Sequence, residues 1–218
     1  MLSTADLKKQ AAQAAIELIE EDMVIGVGSG STVNVFIQEL VKVKSKLDGV
    51  VAASNETTCL LKSLGIPVLD MNVVGQIPFY FDGADEINER REMKKGGGGA
   101  LTREKIIATY ANKFVCLIDE SKFKHYWGDF PIAVEVIPMA RSAVGRELLK
   151  LSASPDYRSG FLTDNGNIII GVYQLDMLQP TVMEDKINQI VGVVENGIFA
   201  HRTADMGFMG TQVGVKRF

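Results

Sequence analysis

A run of small and hydroxylated residues near the N-terminus has the composition of a phosphate-binding loop. Residues 26–32, GVGSGST, lie between an apolar segment and a segment with helical periodicity. Small residues let a ligand approach the backbone closely, and the first amides of a helix are unpaired and carry the positive end of its dipole. The alternative is a tight turn with Ser31 as helix N-cap. The third glycine of a dinucleotide fingerprint and the lysine of a Walker A loop are missing. The candidate phosphate ligands are Ser29, Gly30, Ser31 and Thr32.

A cluster of carboxylates follows a second apolar segment. Residues 82–86, DGADE, come directly after the apolar residues 77–81. In open α/β sheets, ligands bind at the edge where such strands end. Repulsion among the three carboxylates would raise the pKa of at least one of them, which would suit a role in proton transfer. The alternatives are an aspartate-capped turn and a metal site, and the lack of nearby histidine and of further oxygen ligands counts against a metal.

A run of four glycines, residues 96–99, precedes a predicted helix over residues 101–111. Glycines lose much conformational entropy on folding, so the run favours a loop whose backbone must come close to a substrate. Lys95 precedes the run, and Glu104 lies in the first turn of the helix. By itself Glu104 is explained by the helix dipole, which is worth about 0.3–1 kcal/mol. The neighbouring glycines favour a catalytic role instead.

Together these residues could move a proton next to a carbonyl group. A carboxylate can take a proton from carbon, while a lysine and backbone amides stabilise the resulting enediolate. Triosephosphate isomerase uses a glutamate on a sugar phosphate in this way. The three segments therefore predict proton transfer next to a carbonyl group of a substrate that carries a phosphate.

The elements around these segments predict an α/β fold with a largely parallel sheet flanked by helices. Strand and helix patterns alternate up to about residue 130. Beyond Pro131 the order is strand, helix, hairpin, helix, strand, which is typical of a smaller α+β ferredoxin-like domain. We expect a main catalytic domain at residues 1–130 and 204–218, and a small domain at 131–203. The small domain's predicted elements are strand 134–137, helix 141–151, hairpin strands 157–162 and 167–173 around the turn at 163–166, helix 181–190 and strand 193–199.

Composition excludes several other classes of protein. The 218 residues carry a formal net charge of -4, which is not the electrostatic pattern of a nucleic-acid-binding protein. The N-terminus lacks the apolar core of a secretory signal, and no segment has the length and hydropathy of a membrane span. Cys59 and Cys116 provide no framework for disulfides or zinc. We therefore predict a cytoplasmic protein without nucleic-acid or membrane partners.

The chain resembles the type A ribose-5-phosphate isomerases in segments that occur in the family's order along essentially the whole chain. Each segment alone is weakly diagnostic, but the ordered set is specific. The resemblance implies the sugar-phosphate isomerase or CoA-transferase-like α/β fold, no cofactor and no metal, and a homodimer. It also implies interconversion of D-ribose 5-phosphate and D-ribulose 5-phosphate through an enediolate, in the non-oxidative branch of the pentose phosphate pathway. The matching segments are 24–32, 81–86, 95–105, 134–141 and 163–167.

The resemblance also implies a role for each residue that matches one of the family's motifs. Glu104 would be the base that moves the proton between C1 and C2, and Lys95 would stabilise the enediolate. Asp82 would assist ring opening, and Asp85 would contact the sugar hydroxyls. The other expected substrate contacts are Ser29, Gly30, Ser31 and Thr32 for the phosphate, Gly83 and Ala84 beside the aspartates, Gly96, Gly97 and Gly98 through their amides, and Lys122 and Lys8 as further basic groups.

Two departures from the family pattern are mild, and the rival functions are disfavoured. Ser29 stands where threonine is common and keeps the hydroxyl, while Gly99 replaces a common alanine. Amino-sugar-phosphate deaminases and sugar-lactone hydrolases typically need a catalytic histidine, whereas His125 and His201 match no catalytic position. A sugar-phosphate sensor of a transcriptional regulator would need a DNA-binding segment, for which no basic helix-turn-helix pattern exists here.

Overall fold

A computed structural model describes residues 1–218, which form two compact units. The first unit comprises residues 1–84, 106–123 and 204–218, and the second comprises 85–105 and 124–203. Residues 85–105 and 124–130, expected in the main domain, are thus grouped with the second unit. None of the helices combines the length and apolar character that a membrane span requires.

A six-stranded sheet forms the centre of the first unit, which confirms the predicted α/β class with a largely parallel sheet. The last strand alone runs antiparallel to its neighbour. This strand and the one before it form a C-terminal hairpin, and the first strand of the hairpin pairs with β6. The C-terminal residues therefore return to the first unit, as predicted. In sheet order the strands are β13 (Gly214–Arg217), β12 (Met206–Thr211), β6 (Ala111–Asp119), β3 (Ile77–Asp82), β1 (Met23–Val27) and β2 (Leu47–Ala52).

Helices cover this sheet and bury its apolar residues. Phe36 of α2 stacks on Phe81 of β3 with 4.7 Å between the ring centroids, and both rings are fully buried. Burial of one such side chain contributes about 1.5–3 kcal/mol. The helices are α1 (Thr4–Ile16), α2 (Ser31–Leu40), α3 (Asn55–Ser63) and α4 (Leu101–Tyr110), of which α4 begins in the second unit.

Some element ends differ from the sequence-based prediction. The apolar periodicity of residues 4–21 predicts one helix, but α1 ends at Ile16, because the amides of Leu18 and Ile19 donate to carbonyls three residues back and the chain then turns into β1. The pattern after the glycine loop predicts a helix to about residue 46, but α2 ends at Leu40 and continues as a short 3-10 segment. Residues 66–69 predict a strand, of which only a single bridge between Val50 and Val68 forms.

The second unit contains the predicted ferredoxin-like arrangement of strands and helices. Its four-stranded antiparallel sheet has the order β10-β7-β9-β8, so that each helix connects strands in the split βαβ manner. One face of the sheet packs on both helices, and the other face carries Ala133, Glu135 and Ile169. The elements are β7 (Ile132–Val136), α5 (Arg141–Lys150), β8 (Ser154–Tyr157), β9 (Ile168–Tyr173), α6 (Pro180–Asn188) and β10 (Val193–Asn196).

Two strand predictions in this unit are wrong in their extent. The strand expected over residues 157–162 is β8, which ends at Tyr157, because the positive φ of 73° at Gly160 turns the chain away from β9. The strand expected over 193–199 is divided between two sheets. Its first half pairs with β7, and its second half, β11 (Ile198–Phe199), pairs with β5 (Met93–Lys94) in a small sheet with β4 (Glu86–Ile87).

Gly197 separates the two halves of that divided strand. A side chain there would begin 2.1 Å from the carbonyl oxygen of Lys95. Its absence lets the backbone of Lys95 donate a hydrogen bond of 2.8 Å to the carbonyl of Gly197. This contact fixes the chain at the point where β5 leads into the glycine run.

Candidate active site

The loop after β1 packs closely against Asp82 at the carboxyl edge of the first unit's sheet. A side chain at Gly28 would begin 1.9 Å from the carboxyl carbon of Asp82. The backbone amide of Ser29 donates to Asp82 Oδ1 over 3.2 Å, and the amide of Gly28 donates to the carbonyl of Phe81. Parallel pairing of β1 with β3 brings these two strand ends together.

The start of α2 groups two hydroxyl side chains and a lysine. The helix begins at Ser31, and its N-cap is Gly30 with a φ of 92°, so the reading of Ser31 as the cap is wrong. The Nζ of Lys8 donates to Ser31 Oγ over 2.8 Å. Thr32 lies next to Gly83, where an added side chain would begin 3.7 Å from its Cβ. The group presents helix amides, hydroxyls and a positive charge, which together suit a phosphate.

The position of Lys8 depends on close packing of α1 on the sheet. A side chain at Gly210 of β12 would begin 1.9 Å from the carbonyl oxygen of Leu7. Ser3 caps α1, and its hydroxyl and amide both donate to the carboxylate of Asp6. The hydrogen bond from the Ser3 side chain, and to a smaller extent that from the Ser3 amide, lowers the pKa of Asp6 below its ordinary value.

Asp82 is fully buried at the end of β3 and accepts several hydrogen bonds. The amide of Gly83 donates to its Oδ1 over 2.7 Å, and the hydroxyl of Tyr80 donates to its Oδ2. Lys122 ends a short 3-10 turn after β6, the strand that pairs with β3 on its other side. The first unit therefore brings together the serine-threonine loop, Asp82, Gly83 and Lys8, and Lys122 follows the end of the neighbouring strand.

The second unit contains a buried ion pair between Lys95 and Glu104. Lys95 Nζ lies 3.1 Å from Glu104 Oε2, and each residue is only 4% exposed. The ammonium group of Lys95 also lies 5.5 Å from the ring centroid of Phe199. At such a depth, charges interact more strongly than they do in water. Glu104 occupies the first turn of α4 as predicted.

The glycine run passes directly between these two charged residues along the chain. Gly96 has a φ of 103°, and a side chain at Gly97 would begin 2.9 Å from a carboxylate oxygen of Asp85. The amide of Gly97 donates to Asp85 over 2.9 Å, and its carbonyl accepts from Arg158 over 3.0 Å. Gly97 and Gly98 are exposed, so their backbone can be reached by a ligand.

The carboxylates after β3 have different partners. Asp82 belongs to the first unit's loop, and Asp85 holds the amide of Gly97. Glu86 pairs with Lys94 at 3.0 Å and also accepts from the amide of Gly128. Glu86 is therefore part of a structural ion pair.

Several polar residues around α4 were not singled out from the sequence. Lys105 is buried and contacts Glu184 at 2.7 Å and Glu195 at 2.9 Å, which anchors the helix start. Glu135 and Arg158 were also missed, although a glutamate inside an apolar strand is a signal that a polar network surrounds it.

The two histidines lie on the surface. The side chains of His125 and His201 are exposed and pair with Glu89 and Asp185. No group of three or more His, Cys, Asp or Glu side chains is arranged to hold a metal ion.

The hydroxyl-rich loop of the first unit suits a phosphate, and the lysine–glutamate pair of the second unit suits proton transfer next to a carbonyl group. These groups define an enzyme that moves a proton on a phosphorylated substrate. The sequence profile of ribose 5-phosphate isomerase A (phosphoriboisomerase A) matches residues 49–214. Ribose-5-phosphate isomerase A of Legionella pneumophila strain Lens is 57% identical over 211 residues, covering 97% of this chain and 98% of that protein.

Solved structures give the same result. Ribose 5-phosphate isomerase A from Neisseria gonorrhoeae is 45% identical with a TM-score of 0.98, covering 100% of this chain and 98% of that one. A D-ribose-5-phosphate isomerase in complex with phospho-erythronic acid is 39% identical with a TM-score of 0.95, covering 100% and 99% of the two chains. This chain belongs to the ribose 5-phosphate isomerase A family. Membership confirms the predicted activity, the aldose–ketose isomerisation of D-ribose 5-phosphate and D-ribulose 5-phosphate in the pentose phosphate pathway.

Proposed function

We propose that Glu104 is the base that carries the proton between C1 and C2 of the sugar phosphate. The observation that supports this role most directly is the pairing of Glu104 with Lys95, both buried, on either side of a glycine run whose middle residues, Gly97 and Gly98, are exposed. A carboxylate is a suitable general base for a proton on carbon, and the lysine beside it can stabilise the negative charge that develops on the substrate. After the transfer it returns the proton to the neighbouring carbon, which completes an isomerisation without a cofactor.

Lys95 and the amides of Gly96 to Gly98 stabilise the enediolate in this proposal. Negative charge develops on the substrate oxygens as the proton leaves, and donors fixed in advance lower the barrier. The hydrogen bond from the Lys95 amide to Gly197 supports such a fixed arrangement. The amide of Gly97 donates to Asp85, so it must exchange this partner for the substrate oxygen.

The remaining residues bind the substrate. Ser29 to Thr32, at the start of α2, hold the phosphate with Lys8 and Lys122. Asp82 assists opening of the furanose ring, and Asp85 contacts the sugar hydroxyls, with Gly83 and Ala84 beside them. Support comes from the 2.8 Å contact between Lys8 and Ser31 and from the buried, multiply hydrogen-bonded carboxylate of Asp82. The reaction proceeds without a metal ion.

The replacement Glu104→Gln tests the role of the base. We expect turnover of ribose 5-phosphate in excess chelator to fall by orders of magnitude, while substrate still binds in a calorimetric titration. Glu86→Gln is a matched control, because Glu86 is equally buried and pairs with Lys94 at 3.0 Å. Full activity in the Glu104 variant would contradict the proposed role, and loss of wild-type activity in chelator would contradict metal-free catalysis.

A phosphorylated acid provides an independent test of the substrate site. One family member was solved in complex with phospho-erythronic acid. We infer that this chain binds the same compound in competition with ribose 5-phosphate, since its carboxylate is an anion like the enediolate. Replacement of Lys95 by Met should weaken this inhibitor more than it weakens inorganic phosphate.

The proposal also includes a homodimer in the cytoplasm. Large apolar side chains such as Tyr126 and Leu178, 89% and 87% exposed, line a cavity of about 780 Å³ in the second unit and could be covered by a second copy. Both cysteines are free, which suits a reducing compartment. Sedimentation equilibrium would contradict the dimer if it gave the mass of one chain, 23.8 kDa.

A further inference from the structure

The turn at residues 163–167, TDNGN, is organised around a buried carboxylate. Glu135, in the middle of β7, is 0% exposed. Its carboxylate accepts from Thr163 Oγ1 and from Asn167 Nδ2, both over 2.8 Å, and from Asn165 Nδ2 over 3.1 Å. The hydroxyl of Thr102 in α4 also donates to it. All these residues belong to the second unit.

Such a carboxylate is costly to place inside a protein. Its partners are hydroxyl and amide groups, and no cation is among them. Burial of an ionised group costs several kcal/mol even after relaxation, and hydrogen bonds must offset that cost. The neighbours of Glu135 in β7 are valines that pack into the apolar core, so the sheet itself does not need a charge at this position. The polar cluster must therefore serve another purpose.

The same turn also binds the next residue of α4. Arg103 Nε donates to Asn165 Oδ1 over 2.8 Å, and Arg103 Nη2 donates to the carbonyl of Asp164 over 3.0 Å. Thr102 and Arg103 are the two residues immediately before Glu104. Because α4 begins at Leu101, these contacts fix the first turn of the helix, both in its rotation about the helix axis and in its position along that axis.

We propose that Glu135 and the turn at 163–167 are positioning residues that hold Glu104 in place for proton transfer. The inference rests on the proposed role of Glu104 as the base. Proton transfer from carbon depends steeply on distance and angle, and a displacement of about 1 Å costs about 100-fold in rate. The turn is linked through Glu135 to Thr102 and directly to Arg103, so loosening either contact lets the helix start shift while the substrate-binding groups remain.

The replacement Thr102→Val removes one hydroxyl from this cluster with little change in volume. We expect kcat to fall by about 10- to 100-fold, with KM changed far less, and the isotope effect with substrate deuterated at C2 to increase. Thr102→Ser restores the hydroxyl and should recover most of the rate. Glu135→Gln, if it folds, should lower kcat in the same direction. Leu148→Ala, a truncation in the apolar core of the same unit, should lower the melting temperature without the change in isotope effect.

A double-mutant cycle separates this inference from the role of the base. If Thr102 acts through Glu104, then Thr102→Val should have almost no further effect on kcat in a Glu104→Gln protein. An equal effect in both backgrounds would overturn the positioning role while leaving the base in place. A normal kcat for Thr102→Val beside an inactive Glu104→Gln protein would overturn it as well. Full activity of the Glu104→Gln protein would instead remove the proposed base.

Discussion

Lys94 and Lys95 are consecutive residues that form two buried ion pairs of nearly equal length with different partners. Lys94 Nζ lies 3.0 Å from Glu86 and also donates to the carbonyls of Gly128 and Phe130. Lys95 Nζ lies 3.1 Å from Glu104 beside the ring of Phe199. Successive side chains along an extended chain point to opposite faces, so Lys94 is directed to Glu86 and Lys95 to Glu104.

The replacement Lys95→Ala should slow turnover without abolishing binding. Loss of one donor to a developing oxyanion typically costs about 2.7–4 kcal/mol of barrier, or about 100- to 1,000-fold in kcat. Steady-state kinetics with ribose 5-phosphate measures this change. Lys94→Ala is the matched control and should mainly lower the melting temperature. An unchanged kcat in the Lys95 variant would mean that the backbone amides stabilise the enediolate alone.

The replacement Gly97→Ala should lower activity because the loop has no room for a side chain. Its Cβ would begin 2.9 Å from Asp85 Oδ1 and 3.0 Å from Phe130, so the loop or the carboxylate must shift. We expect kcat to decrease by about 10-fold or more, since small displacements of fixed groups are costly in catalysis. Gly145→Ala in α5 meets no atom within 4 Å and should keep full activity. That control should gain about 0.5–1 kcal/mol of stability. Equal activity of the two variants would contradict this prediction.

The replacement Lys8→Ala should weaken binding of the phosphate group. Lys8 Nζ contacts Ser31 Oγ at the start of α2, whereas the neighbouring Lys9 is exposed. A hydrogen bond to a charged group is worth about 1.5–3 kcal/mol, so KM should rise by about 10-fold or more while kcat changes little. Lys9→Ala serves as the control of equal charge. If both variants had the same KM, then Lys8 would contribute only through long-range charge.

The stability contributed by Asp6 should depend on pH. Hydrogen bonds from Ser3 lower the pKa of Asp6 in the folded protein. A lowered folded pKa stabilises the protein above the unfolded value, which is about 3.9 for aspartate, and this stabilisation is lost as pH falls through the folded pKa. Asp6→Asn should therefore melt below the wild type at neutral pH, and the two should converge in acid. A constant difference between Asp6→Asn and the wild type at all pH values would contradict the linkage.

Several features of this protein were determined by the sequence itself. The apolar residues 23–27, followed by the glycine loop, predict a short strand, and β1 has these bounds, because a short apolar segment bounded by turn residues folds in only a few ways. The change of pattern beyond Pro131 predicted the split βαβ arrangement of the second unit, and the ordered motifs predicted the family.

The tertiary structure alone decided how the polar groups are paired. The sequence singles out Lys95 because it directly precedes the glycine run, but it does not show that Lys95 pairs with Glu104 while Lys94 pairs with Glu86. Contacts between segments far apart in sequence also divide the strand at Gly197 and hold the turn at residues 163–167 around Glu135. Hydrophobic periodicity is a local property that can be read along the chain, whereas the partner of a buried charge is set by which distant segments pack together.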